Sequence, residues 1–407
     1  MGRKKHKARS LNEDGGGILS SRNATECVGS GYAREAVLLI CLSLLAGMFI
    51  ITGFVSRTYH KRIHTLADQW FAQGDVAYKS GNYATAIIDF HNALVYSPAN
   101  TQFQFHLAQA LASTGNYIQA QSYLLNLLTL SPGSGEINLA LARIAARSNS
   151  MTDAMRYYNG AIYGVWSNDP LQMRWDARFE LCKYLLDQNA EAQAQPELIA
   201  LVQETPPGDI DREKKAGSLL LGAGLPDQAL QEFHAALGVN RHDAEALAGA
   251  GNAEFESGKY SEAIDYLERL PSKIRETPEI EEALGTAREV QAADPFLSHL
   301  SNQDKAKRTT ESLAQAEVRI TDCAHQRGEA LSAAPTATTL QTLSAKYKKM
   351  KSDWSERSLE QHTDRIEVAM SLVFEIENAA AQECGAPQSS ADNALLLIGR
   401  GHGGAGR

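Results

Sequence analysis

The residues of this 407-residue chain best equipped for chemistry are two cysteines and a histidine near its C-terminal end. Cys323-Ala324-His325 sets a thiol and an imidazole two residues apart, and Cys384 offers a second thiol. Zinc takes four well-placed ligands, and no clear fourth accompanies these three. A disulfide between Cys323 and Cys384 is the better reading, and it would require an oxidising compartment. The alternative is two unrelated thiols, one buried and one exposed. Cys182 falls at a small-residue packing position and Cys41 lies in an apolar run. The sequence has no phosphate loop, no H-E-x-x-H and no G-x-S-x-G. The expectation is a protein that is not an enzyme and holds neither metal nor cofactor.

Charge and hydropathy show what must position these groups. Hydrophobic residues make up 43% of the chain and charged residues 21%, with a formal net charge of -9. Residues 1–62 hold ten Lys and Arg against four Asp and Glu, a net of +6; subtracting +6 from -9 leaves -15 for residues 63–407. Phosphate contact needs basic surface, so nucleic acid is excluded as a partner of this acidic remainder. Arg3, Lys4, Lys5, Lys7 and Arg9 lead a basic tail, residues 1–33, expected to be disordered. Ala36 to Val55 is then twenty residues without a charge. At ~1.5 Å per helical residue this matches the hydrocarbon core of a bilayer, and residues 34–57 are read as an uncleaved transmembrane helix. Arg22 and Arg34 flank it on one side and Arg57, Lys61 and Arg62 on the other, so the near charges do not decide its orientation. The longer basic tail favours an N-terminus inside, which leaves the rest extracytoplasmic, in a bacterial inner membrane.

Beyond the span the chain repeats itself. Gly81 and Gly115, Tyr83 and Tyr117, Ala86 and Ala120, and Pro98 and Pro132 are each 34 residues apart. A period near 34 marks a two-helix unit that buries its apolar face only against its neighbours. A third unit starts at Gly135, with Asn149 where the turn glycine stood and a stretched end around Trp166 and Pro170. A fourth is degenerate, and two clear units follow with Gly217, Gly224, Ala229 and Phe233, then Gly251, Gly258, Tyr260 and Ala263. Small residues at unit positions 8, 20 and 27 let the paired helices approach, and glycine at position 15 can take a left-handed backbone after the first helix.

This pattern resembles the tetratricopeptide repeat family over residues 67–270, strongly in units 1, 2, 5 and 6. The resemblance implies an α-solenoid whose first helices line a concave groove through unit positions 2, 5, 9, 12 and 13. Carried over, those positions are Phe71, Asp75 and Tyr78, then Phe105 and Gln109, then Leu139, Arg143 and Arg147, then Phe179 and Lys183. Aromatics beside Arg and Lys suit a peptide with an acidic element. The competing reading is that several of these side chains simply pack between helices.

Thr277-Pro278-Glu279 opens one more amphipathic helix, to Ala292, that would close the last unit. Residues 293–384 read as a small bundle of three segments. Leu313, Ile320 and Cys323 mark the first, Leu340, Leu343, Tyr347, Met350 and Trp354 the second, and Leu359, Ile366, Val373 and Ala380 the third, with a break at Ala333-Ala334-Pro335. Residues 385–407 are expected to be a disordered tail, in which Asn393 to Arg400 is an apolar patch that either docks elsewhere or folds back on the bundle. The expected fold is therefore all-α: a transmembrane helix, a solenoid of about six helix-turn-helix repeats with a closing helix over 65–292, and a C-terminal bundle. The expected function is a membrane-tethered protein–protein interaction scaffold or assembly factor of the cell envelope, touching lipid through residues 36–55 and a membrane-associated protein through the groove. The alternative is an accessory subunit of an envelope enzyme complex such as a glycosyltransferase or polymer-export machine.

Overall fold

The computed structural model describes residues 29–331, 338–387 and 389–403. The basic tail as far as Val28, the break at Ala333-Ala334-Pro335 and residues 404–407 lie outside the described residues. The described residues form nineteen helices and no strand, with one isolated bridge between Ser134 and Val165. They divide into two compact units that meet in sequence at Leu127 and Leu128, each described by itself below.

The first unit begins with α1 (Gly29–Lys79), followed by α2 (Tyr83–Tyr96), α3 (Thr101–Ser113) and α4 (Tyr117–Leu130), whose last residues belong to the second unit. Two expectations are corrected here. Residues 29–33 are helical, not disordered, and the helix expected over 34–57 is longer: α1 runs for 51 residues through the apolar span and into the first repeat. Residues 56–66 contain neither glycine nor proline, so nothing in them interrupts the helical hydrogen-bond ladder. α1 is long and apolar enough to cross a membrane, and its large apolar side chains from Val37 to Val55 are exposed. Its far end packs on α2, where a Cβ on Gly74 would meet the Phe90 ring at 2.7 Å, so only glycine fits.

In the second unit the helices come as pairs: α5 (Gly135–Arg147) with α6 (Met151–Ile162), α7 (Pro170–Asp187) with α8 (Glu191–Glu204), α9 (Ile210–Gly222) with α10 (Pro226–Val239), and α11 (Ala244–Glu256) with α12 (Tyr260–Glu268). A short α13 (Ser272–Arg275) leads to α14 (Pro278–Ala293), whose Ile280, Leu284 and Ala287 cluster with Leu247, Leu267 and Leu270 of the last pair. In both units the repeat physics is uniform. Position 20 is alanine in all six pairs (Ala86, Ala120, Ala154, Ala194, Ala229 and Ala263), and every one is fully buried. Position 15 is left-handed throughout: Gly81, Gly115, Gly224 and Gly258 have φ between 70° and 80°, and Asn149 and Asn189 take φ of 55° and 53° in the two weak units. Asparagine tolerates this conformation better than other side chains, so the turn survives loss of its glycine. The stretched end of the third pair closes by backbone pairing, Val165 N–H to Gly133 O (2.7 Å) and Gly135 N–H to Val165 O (2.9 Å), over a buried Trp166 whose Nε1 donates to Ala161 O (2.9 Å).

The rest of the second unit is a bundle of α15 (Asn302–Gln326), α16 (Thr339–Asp353), α17 (Glu356–Gln361), α18 (Asp364–Cys384) and α19 (Ser390–Gly403). The expected third segment is in fact two helices: Leu359 belongs to α17, and His362 and Thr363 separate it from α18. The expected disordered tail is also corrected, because Ser390–Gly403 is helical and buries Ala394, Leu395, Leu396 and Ile398. Four apolar side chains at helical spacing repay the ordering of a short helix only when a surface receives them, and α14, α15 and α18 supply it. α15 and α18 run parallel, and Cys323 and Cys384 form a disulfide near their C-terminal ends with Cα atoms 5.7 Å apart. His325 is left exposed beside it, and no group of metal-ligating side chains is present among the described residues.

Candidate functional site

The groove residues carried over from the repeat pattern fall into two sets, one in each unit. In the first unit, Phe71 is packing rather than lining: its ring stacks on Phe103 at 4.7 Å and touches Phe90 and His106 at 5.5 and 4.9 Å. That burial pushes the His106 imidazole below its ordinary pKa, with the field of Lys79 adding to it and that of Asp75 opposing. Asp75 is taken by Lys79 at 2.7 Å. The Tyr78 hydroxyl is 3.5 Å from Ser113 Oγ and its ring meets Tyr83 edge-on. Phe105 and Gln109 stay half-exposed on α3.

In the second unit, Leu139 is buried, 7% exposed, and packs inside the repeat. Phe179 is half-buried, stacked on Trp175 at 5.4 Å. Arg143 reaches from α5 to Glu180 on α7 with both ends of its guanidinium, Nε to Oε2 at 2.9 Å and Nη2 to Oε1 at 2.5 Å. A bidentate pair of this kind fixes geometry as well as charge. It joins α5 to α7, which carry Arg147, one turn beyond Arg143, and Lys183, one turn beyond Glu180. Arg147 and Lys183 are exposed and have no ion-pair partner among the described residues. Behind them Tyr158 is buried, its ring 6.3 Å from Tyr184; burial and Glu180 raise its pKa, against the fields of Arg143 and Arg147, so it stays a neutral phenol.

The sequence reading named Arg143 but missed its partner Glu180, which lies 37 residues away on the next first helix. It also missed Arg178, buried and paired with Glu204 at 3.0 Å and Glu197 at 3.5 Å. A charged residue in an apolar helix stripe was the available signal. A further groove, of about 550 Å³, opens between α16 and α18 over Met350, Trp354, Val368 and Leu372; only the meeting of two helices distant in sequence creates it.

Models of the tetratricopeptide repeat match residues 71–117, 114–170 and 220–286. The chain is a tetratricopeptide repeat protein. No curated protein matches it by sequence. Among solved structures, this tetratricopeptide repeat protein is similar to PilW, described as a type IV pilus biogenesis factor, at 18% identity over 54% of this chain and 98% of that one, TM-score 0.42. YrrB, described as a TPR protein with an unusual peptide-binding site, is 18% identical over 49% of this chain and 97% of that one, TM-score 0.37. The C-terminal part of a TPR protein from Cytophaga hutchinsonii is 15% identical over 60% of this chain and 94% of that one, TM-score 0.44. Tetratricopeptide repeats bind other proteins, and this chain is accordingly a protein-interaction scaffold.

Proposed function

We propose that this scaffold is tethered to a membrane by residues 36–55, with its repeats outside the cytoplasm, and that the α5–α7 face grips an acidic element of a partner peptide in assembling a cell-envelope structure. The observation that carries the binding mode is that Arg147 and Lys183 are exposed cations without an ion-pair partner among the described residues, on the two helices that the Arg143–Glu180 bond joins. Opposing charge at such a face adds association rate and specificity. The tether is supported by the exposed apolar half of α1. Because α1 continues without a break into the first repeat, a partner of that repeat meets it close to the bilayer. The extracytoplasmic placement is supported by the Cys323–Cys384 bond, which persists only where thiols are oxidised.

The test is crosslinking in native membranes followed by partner identification, repeated with Arg147→Glu and Lys183→Glu combined. The expected result is loss of one crosslinked partner with the helical content unchanged. An unaltered set of crosslinked proteins sinks the binding mode. A reporter fused after Arg407 that is active only in the cytoplasm sinks the placement.

A further inference from the structure

The bundle buries a carboxylate for which it provides no hydrogen bond among the described residues. Glu377, on α18, is 0% exposed, and neither of its oxygens has a hydrogen-bond partner. The fields of two charged groups reach it. Arg319 comes from α15, with Nε 3.9 Å from Glu377 Oε2, but its Nη2 donates to the Gly385 carbonyl at 2.8 Å instead. Asp392 comes from α19; it is 6% exposed, and its Oδ1 accepts a hydrogen bond from Gln315 at 2.8 Å. α19 thus carries a second buried carboxylate whose field reaches the first, where water screens them poorly.

The seat of α19 is also incompletely filled. A cleft of about 330 Å³ opens at its first turns, lined by Arg308, Glu311, Gln315, Ser390, Ala394 and Leu395. Gly385, just before it, has a φ of +88°, a turn that favours glycine. The α15–α18 pair beneath it is locked by the disulfide one turn from Arg319, so α19 is the element free to give way.

We propose that α19 is a detachable latch gated by the charge on Glu377, seated while that carboxyl keeps its proton and released when it loses it. Like charges buried together drive the release, and the departing helix removes Asp392 and admits water to Glu377. The direction agrees with the carboxyl's titration, raised to about 8 first by burial and then by Asp392, with Arg319 opposing. A carboxyl held above its ordinary value of 4.5 favours the seated state most below that value, and the advantage falls as pH rises and is gone above about 8. At the far end of α19, His402 lies 3.9 Å from Asp294.

The test is hydrogen exchange of the full chain in lipid nanodiscs, with α19 amide protection corrected for the intrinsic pH dependence of exchange. Linkage sets the expected fall in α19 protection at roughly fivefold between pH 7 and 8, flattening above that, while the amides of α15 and α18 hold. Glu377→Gln, which mimics the protonated form, is expected to flatten the profile and keep α19 seated at pH 8.5. Asp392→Asn is expected to reduce the fall without abolishing it. The proposal is overturned if α19 protection does not change with pH, if Glu377→Gln loses protection like the wild type, or if α15 and α18 open together with α19.

Discussion

In α9 to α12 the buried side chains are apolar except for Glu213 and Glu254, and each sits at a fixed place in a 34-residue frame. Gly217 and Gly251 leave room for Phe233 and Leu267, Ala229 and Ala263 let the helices of each pair close, and Gly224 and Gly258 turn the chain between them. In α15 to α19 there is no such frame. Thr309, Ser312, Arg319, Ser344, Glu377 and Asp392 are all buried, and a disulfide closes a 61-residue separation. The first region is made of helices of 9 to 14 residues and the second of helices of 6 to 25. The repeats hold by short-range shape fit that each neighbour restates, whereas the bundle holds by a few long-range devices, each used once. Loss of one device in the bundle should therefore travel further than loss of one contact in the repeats.

The largest effect is expected from removing the bundle's cross-link. Cys323→Ser with Cys384→Ser should lower the opening free energy of α15 and α18 by about 4 kcal/mol in the chain-entropy model. Hydrogen exchange should show α9 to α12 unchanged; an equal loss in both regions would mean that they do not hold independently. Phe233→Ala should cost about 3 kcal/mol through the cavity it leaves beside Gly217 and Gly249. That loss should appear as a lower urea midpoint for the α9–α12 amides, with the bundle's protection intact. Gly224→Ala should cost about 1–2 kcal/mol because alanine strains at a φ of +70°, read as a lower melting temperature. The smallest effect is expected at Asn189→Gly, within about 0.5 kcal/mol of zero, since glycine relieves the left-handed turn but loosens the unfolded chain. A loss above 1 kcal/mol there would mean that the Asn189 side chain contributes more than its turn.

The same division explains how legible each part was. The repeats announced themselves because their contacts recur at one spacing: the alanines at position 20 and the glycines at position 15 could be counted, and Asn149 fell at the right offset even where glycine was gone. The bundle's helices showed their apolar periodicity, but their ends did not. Nothing local to Leu359 separates α17 from α18, and nothing local to Asn393 to Arg400 says whether that patch is exposed or received. The candidate binding face was legible by half. Arg143, Arg147 and Lys183 stood at groove positions, but Phe71 and Leu139, which stood there equally, turn inward because neighbouring rings and helices take them.

What the sequence determined by itself was whatever depends on near neighbours along the chain: the apolar length of Ala36 to Val55, the two-helix period, and the small residues each pair needs. Tertiary structure decided what depends on groups far apart in sequence. It joined Arg143 to Glu180 and so left Arg147 and Lys183 unopposed, it ran α1 unbroken from the apolar span into the first repeat, and it folded α19 over Glu377. Pairing energies and burial act between surfaces brought together in space, and a spacing rule cannot state which surfaces those will be.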